Sequence, residues 1–364
     1  MNFVNFRRRR ALLLAATASL VPSAQAARAA AATALADPLH REALRLHRPD
    51  SAVMLDACPA GRGIVAVGER GVVLLSGDGG RSWRQAERLP VSVTLTAVHF
   101  VDARRGWAVG HAGVVLRSED GGQNWTVTVD GHGLARAALA GAEAASAGAG
   151  DVLLRAARRW VREAADKPLF DLQFHPDGHG VVVGAFGFIF ETHDAGKTWT
   201  SWMHRTPNPQ LFNLYAVRAI GENIYVAGEQ GLILASGDAG QSFEALKSPY
   251  AGSWFGLAGD ASSGAVVAGL QGNAWRYDPG AGNWQALRGA PPSASFVSAT
   301  LDGRGRVLLA NQANQVFAAL PGQAALQLVA RAPGAPLTHA IGLGDGALVV
   351  TSFAGARRLE HQGV

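Results

Sequence analysis

Four short stretches place an aspartate in a glycine-rich turn that closes on an aromatic ring: SGDGGRSW (76–83), SEDGGQNW (118–125), THDAGKTW (192–199) and SGDAGQSF (236–243). Residues of these types hold calcium, cradle phosphate or act as a general acid or base. Calcium asks for six to eight oxygens, several of them carboxylates. SGDGGRSW brings only Asp78 and THDAGKTW only Asp194, so no metal is expected. A phosphate loop is disfavoured because no helix start follows these turns. The remaining reading is structural. An aspartate bonds backbone N–H groups two residues on, and Ser or Thr does the same. Asp78, Asp120, Asp194 and Asp238 would then fasten turns, with Gly80, Gly122, Gly196 and Gly240 allowing the bend. Trp83, Trp125, Trp199 and Phe243 would pack between neighbouring units, where a large apolar ring gains most.

Other chemistry is thinly supported. Glycoside hydrolysis of the sialidase type would need a tyrosine nucleophile backed by glutamate, and an arginine cluster. The chain has four tyrosines, Tyr215, Tyr225, Tyr250 and Tyr277, and no arginine motif of that kind near its start. Glu69 and Glu229 fall at repeat turns and read as solvated. The single cysteine, Cys58, allows no internal disulfide and reads as a buried small residue. No catalytic residue and no cofactor is expected.

The elements that carry these turns recur. VAVGERGVVLLSGDGGRSW (65–83), WAVGHAGVVLRSEDGGQNW (107–125), VVVGAFGFIFETHDAGKTW (181–199) and YVAGEQGLILASGDAGQSF (225–243) are copies. A fifth, VVAGLQGNAWRYDPGAGNW (266–284), has an altered turn, and two faint copies lie at 307–320 and 348–360. The first glycine of each copy, or its equivalent, stands at 68, 110, 184, 228, 269, 311 and 352, giving steps of 42, 74, 44, 41, 42 and 41. A period near 42 with short β runs matches one propeller blade of four strands. The fold expected is therefore all-β: a seven-bladed β-propeller over 51–364 with four-stranded antiparallel blades. Both glycines of each V-G-x-x-G run suit a hairpin that needs positive φ. The last blade lacks a clear fourth strand, and the segment 27–50, around Leu44 to Arg48, is a candidate to close it.

The Asp-box turns, with the V-G-x-x-G run before each, resemble the photosystem II assembly/stability factor family. The likeness is clear from about Ser51 to Trp284 and weaker beyond. It departs at Asp278-Pro279 and in the last two blades, which lack the box. The resemblance implies a seven-bladed propeller that binds and helps assemble a membrane complex without being an enzyme. It does not carry over the client, and in a non-photosynthetic host an envelope transporter is the corresponding expectation. A sialidase-like glycoside hydrolase and a glycan- or small-ligand-binding propeller stay as alternatives.

The start of the chain is separate. Arg7 to Arg10, the apolar run Ala11 to Val21 and Ala24-Gln25-Ala26 make residues 1–26 a secretory signal. Sec and twin-arginine export both remain open. A periplasmic or secreted protein is expected. The whole chain has 33 Lys+Arg against 28 Asp+Glu, and the signal takes four arginines, leaving 29 against 28. Nucleic-acid binding is not expected from a balance of +1, so any basic patch must be local.

One such patch stands out. The step of 74 holds an insertion, 130–167, between blades two and three. HGLARAALAGAEAASAGAG is alanine-rich and interrupted by glycines; DVLLRAARRWVREAADKP is the better helix, with Asp151 as cap. Leu153, Leu154, Ala157, Trp160, Val161 and Ala164 share one side, and Arg155, Arg158, Arg159 and Arg162 the other. A helix packed on the propeller with a solvated basic face accounts for this, and so does a docking surface for an acidic partner or lipid headgroups. Strand parity puts the insertion on the face of the B–C turns, away from the Asp-boxes. That tip face carries His111 and Phe186, with Arg88, His204 and Arg205 in neighbouring links extending the patch. A chain that is a monomer by itself would dock a membrane-complex protein there.

Overall fold

In a computed structural model of the chain, residues 37–145, 150–163 and 165–360 are described. The signal segment 1–26 and Ala164 lie outside them. Seven antiparallel sheets follow one another along the chain, six of four strands and one of three. We label the strands of each blade A to D in chain order. The A strands are Met54–Ala60, Leu95–Phe100, Leu169–Phe174, Leu214–Ile220, Trp254–Asp260, Phe296–Leu301 and Leu337–Gly342. Each packs beside the next, and the last returns to the first, so the chain is a closed seven-bladed propeller.

The B strands, such as Gly106–Gly110 and Gly180–Gly184, are buried along their whole length. They sit between A and C in each sheet and between sheets on both faces, so they read as unbroken apolar runs rather than alternating ones. D strands are short, two residues in blades one, three and four. They form the solvent edge, where a short strand limits edge-to-edge pairing.

The two glycines of each V-G-x-x-G run do different jobs. Gly68, Gly110, Gly184, Gly228 and Gly269 have extended backbone, not positive φ. A Cβ at Gly68 would meet the Val53 carbonyl oxygen at 2.0 Å, and one at Gly110 the Thr94 oxygen at 2.2 Å. The first glycine is there for close approach of A and B. Positive φ falls on the residue before the second glycine (Arg70, Ala112, Phe186, Gln230, Gln271) and on that glycine itself.

Blade seven keeps three strands among the described residues. Leu44 to Arg48 does not supply the fourth. This segment lies along the outer strand of blade one instead: Ala43 N–H donates to Leu89 O at 3.1 Å, Leu46 N–H to Gln85 Oε1 at 3.0 Å, and the Arg45 guanidinium to Ala86 O and Glu87 O. The physical reason is that strand D of blade one is only Arg84–Gln85, leaving its edge to be covered. The first and last blades still meet here, because Asp50, just before blade one, backs directly onto Gly355 of blade seven.

The insertion is a helical hairpin, α1 (Gly131–Ala144) and α2 (Gly150–Arg162). Asp130 caps α1 through Gly133 N–H. The glycines do not interrupt α1. A Cβ at Gly141 would lie 3.0 Å from that of Ser201, so glycine lets α1 approach strand D of blade three (Thr200–Ser201). Helix α2 starts at Gly150, one residue before the expected cap Asp151.

Candidate functional site

Each Asp-box is a closed hydrogen-bonded turn. In blade one the Ser76 hydroxyl donates to Asp78 Oδ1 and accepts from Gly80 N–H; Asp78 Oδ1 also accepts from Arg81 and Ser82 N–H, and Oδ2 from the Ser82 hydroxyl. The Ser/Thr–Asp–Gly core of this turn and the N–H bond from four residues on recur at Asp120, Asp194 and Asp238; Oδ2 accepts from the Thr198 and Ser242 hydroxyls and, at Asp120, from the Asn124 amide. These donors hold the carboxylates below their ordinary range. Ser242 does most at Asp238, which lies at about 2; at Asp194 burial opposes ionisation but Thr198 and Thr192 outweigh it, again to about 2. The oxygens are spent on the turn, which leaves little for calcium. The turn's glycine meets the preceding blade: Gly80 faces Val349, Gly122 faces Leu75 and Val65, Gly196 faces Thr128, Gly240 faces Trp202. Trp83 packs in the cluster with Ile341 and Val349, Trp125 lies edge-on to Phe100, Trp199 edge-on to Phe174, and Phe243 against Trp202.

The opposite face carries the insertion. A Cβ on Gly113, in the B–C turn of blade two, would lie 2.6 Å from Gly131 Cα, so α1 starts directly on that turn. Leu153, Ala157 and Trp160 of α2 are buried, Leu154 is half-buried and Val161 is exposed. The Trp160 ring stands edge-on to Phe188 at 5.0 Å and tilted to Phe186 at 6.3 Å. Phe186, at the tip of blade three, keeps 43% of its surface exposed. Arg155, Arg158, Arg159 and Arg162 are all exposed. Arg158 reaches Glu143 of α1 at 4.0 Å and Arg159 reaches Glu163 at 3.3 Å, both solvent-exposed pairs that hold little energy. His111 is exposed at the tip of blade two. His204, also exposed, lines an apolar cleft of about 360 Å³ with Val152, Leu153, Met203 and Pro207.

Two of the expected basic residues, Arg88 and Arg205, also bond the following blade. Arg88 pairs along Asn124, its carbonyl accepting from Trp125 N–H and its guanidinium facing Glu42. Arg205 accepts at its carbonyl from Phe243 N–H and donates from its guanidinium to Gly240 O. Both hold the Asp-box segment of the following blade.

The channel between the A strands is the other candidate. A register shift opens each of the seven A–B ladders near its tip-face end. Beside it Phe170, Tyr215 and Phe255 form an aromatic arc, with ring centroids 5.3 and 5.1 Å apart. The carboxylates here join blades. Asp56 meets His339 Nδ1 at 2.6 Å and accepts from Val98 N–H; Asp171 meets Arg218 at 2.5 Å and accepts from Val217 N–H. Deeper in, Cys58 Sγ, His99 Nδ1 and Gln173 Oε1 each accept a backbone N–H from the next blade, at Phe100, Phe174 and Ala219. Cys58 is thus half-buried and packs against the apolar cluster between blades one and two, and burial pushes its thiol up to about 12. Burial, reinforced by the Arg218 charge, brings His99 down to about 4. Glu229 is likewise not merely solvated, since it accepts from Asn213 N–H.

Sequence reasoning missed one group. His179, Glu191 and His193 of blade three bring two imidazoles and a carboxylate together, with ligand atoms within 4.8 Å of one another. Their H-x11-E-x-H spacing is unremarkable in the sequence; only strand register unites them.

The closed ring of blades and the Asp-box turn repeated in the first four define an Asp-box β-propeller. The family model described as photosynthesis system II assembly factor YCF48 matches residues 51–134 and 152–345. The chain belongs to that family. A curated relative, the photosystem II assembly lipoprotein Ycf48 of Synechococcus sp. (strain CC9902), is 29% identical over 126 residues, 34% of this chain and 38% of the relative. The match therefore spans less than half of that relative's length. Among solved structures, YCF48 bound to D1 peptide has a TM-score of 0.61 at 16% identity, covering 88% of this chain and 99% of that one. YCF48 from Cyanidioschyzon merolae gives 0.59 at 16%, with 86% and 97% covered. The WD40 propeller domain of Doa1 gives 0.61 at 11%, covering 90% and 97%. At these identities the structural likeness speaks for the fold alone.

Proposed function

We propose that this chain is an exported, non-enzymatic assembly factor that docks a segment of a membrane-complex subunit on its tip face, with α2 as the recognition edge. The observation that carries the reading is the arginine row Arg155, Arg158, Arg159 and Arg162, held outward on a helix whose other side is anchored by Trp160. Exposed Phe186 and His111 lie on the same face, and His204 lines the cleft beside α2. Apolar anchors rimmed by charge are the usual make-up of a specific protein surface. Membership of the assembly-factor family supports a binding role, and the D1 peptide in a YCF48 structure supports a polypeptide segment as the ligand class.

The glycoside hydrolase reading gains nothing from the channel. Its carboxylates are committed to His339, Arg218 and backbone N–H groups, and it holds one arginine rather than a cluster.

The test is co-purification and cross-linking from native membranes with wild type and with Arg155, Arg158, Arg159 and Arg162 all changed to Glu. All four side chains are exposed, so the fold should be kept. Loss of the partner from an intact propeller is expected. Equal recovery by the reversed variant would remove α2 from the interface.

A further inference from the structure

We propose that His179, Glu191 and His193 form a three-ligand site for a divalent transition metal of the zinc type, on the Asp-box side of blade three. Strand B (Gly180–Gly184) and strand C (Ile189–Thr192) pair with Gly180 opposite Thr192 and Val181 opposite Glu191. Continuing that register puts His179 opposite His193. Alternate residues of a strand share a face, so His193 and Glu191 share one with His179. The geometry agrees: the two imidazole rings stack with centroids 4.9 Å apart, and each Nε2 lies 2.9 Å from Glu191 Oε1.

The donor set is that of zinc: two imidazole nitrogens and one carboxylate oxygen, with a fourth position left for water. Bonds of 2.0–2.1 Å in a tetrahedron separate ligand atoms by about 3.3 Å. An ion would therefore open each 2.9 Å gap by roughly 0.4 Å. His193 has the freedom to do this, its side chain being 74% exposed, while Glu191 is 10% exposed and fixed.

The surroundings resemble an outer shell. The indole N–H of buried Trp202 donates to Glu191 Oε2 at 2.9 Å, so the second oxygen orients the carboxylate and leaves Oε1 facing the histidines. Partners of this type fix the ligand and are worth about 10–100-fold in metal affinity. The His175 ring also stacks on His179, with centroids 5.7 Å apart.

A bound ion would join the A–B turn of blade three to its Asp-box, because His193 is part of THDAGKTW. It would also leave an open coordination position on solvent. This inference stands apart from the docking surface, which is on the other face.

The experiment uses untagged chain stripped with chelator and titrated with Co(II) and then Zn(II). Tetrahedral Co(II) absorption bands at one equivalent, bleached by Zn(II), are expected. His193→Ala and Glu191→Gln should each lose the bands and weaken Zn(II) binding by 100-fold or more, while His111→Ala keeps both. His193 is exposed, so its variant should melt like wild-type apoprotein. Absent bands in the wild type, or equal binding by wild type and His193→Ala, would overturn the site.

Discussion

At the scale of single residues, the repeat uses side chains mostly to satisfy backbone groups that the propeller leaves unpaired. His99 accepts Phe174 N–H across a blade boundary, as Gln173 accepts Ala219 N–H at the equivalent place one blade on. The fold holds His99 at about 4, against about 6.5 for a free imidazole. Between these values the unfolded chain binds the extra proton, so this group's stability is present above pH 6.5 and lost as pH falls towards 4. His99→Gln keeps an acceptor and removes the proton site. Thermal melts at pH 7.5 and 5 should differ less for the variant than for wild type. An unchanged difference would assign the loss to other groups. The Asp-boxes act lower. Asp238 titrates at about 2 in the fold, below its unfolded value near 3.9, so its stabilisation is present above that value and fades as pH drops from about 4 to 2. Asp238→Asn should lower the melting temperature at pH 6 and lose less than wild type between pH 5 and 2.5.

At the scale of elements, the glycine-rich turns fall where the repeat puts them, but the first glycine of each V-G-x-x-G run answers to space and not to positive φ. Periodicity marks Gly68 and Gly110 as special without saying whether φ or space requires them, since either demand selects glycine. The structure answers with space. Gly110→Ala puts a methyl group 2.2 Å from a backbone oxygen that cannot retreat without breaking the A–B pairing. A loss of about 1–3 kcal/mol is expected, as for other overpacked sites. Gly303, with nothing within 4 Å, is the matched control: Gly303→Ala should change stability little. The helix α2 was legible because its 3.6-residue period separates Trp160 from the arginines. Arg88 and Arg205 do lie in D-to-A links, but their bonds to the following blade depend on which way each link runs across its neighbour, which parity does not predict. The His179–Glu191–His193 group was invisible for a related reason: cross-strand proximity depends on register, which the local sequence does not state. Trp160→Ala should loosen α2 locally. Limited proteolysis should then cut within 130–167 sooner, with the propeller melting near its wild-type temperature.

At the scale of the whole molecule, the ring must close without the usual shared sheet. Among the described residues blade seven has three strands, and Ala43 to Leu46 lie on blade one, so the closure seen there rests on side chains and packing. The Thr338 hydroxyl donates to Met54 O at 2.7 Å, His339 meets Asp56 at 2.6 Å, and Arg358 donates to Gly79 O at 3.1 Å within the first Asp-box. Behind them Met54, Ile64, Ala66 and Leu74 of blade one pack with Ile341, Val349 and Ala356 of blade seven. A propeller differs here from an open solenoid, whose stability is a sum over neighbours and whose last repeat can be removed at local cost. Ending this chain before Leu337 would uncover Met54, Ile64, Ala66 and Leu74 on one side and Leu308, Val316 and Ala330 of blade six on the other. Two faces would then be exposed by the loss of one blade, and every A strand would lose its closed ring of neighbours. The truncated chain should therefore bind a hydrophobic dye at room temperature and lose its sharp calorimetric transition. Full-length protein should show one cooperative melt. A truncated chain that melts sharply, within a few degrees of the full ring, would show that the blades are stable as a linear stack and that closure adds little.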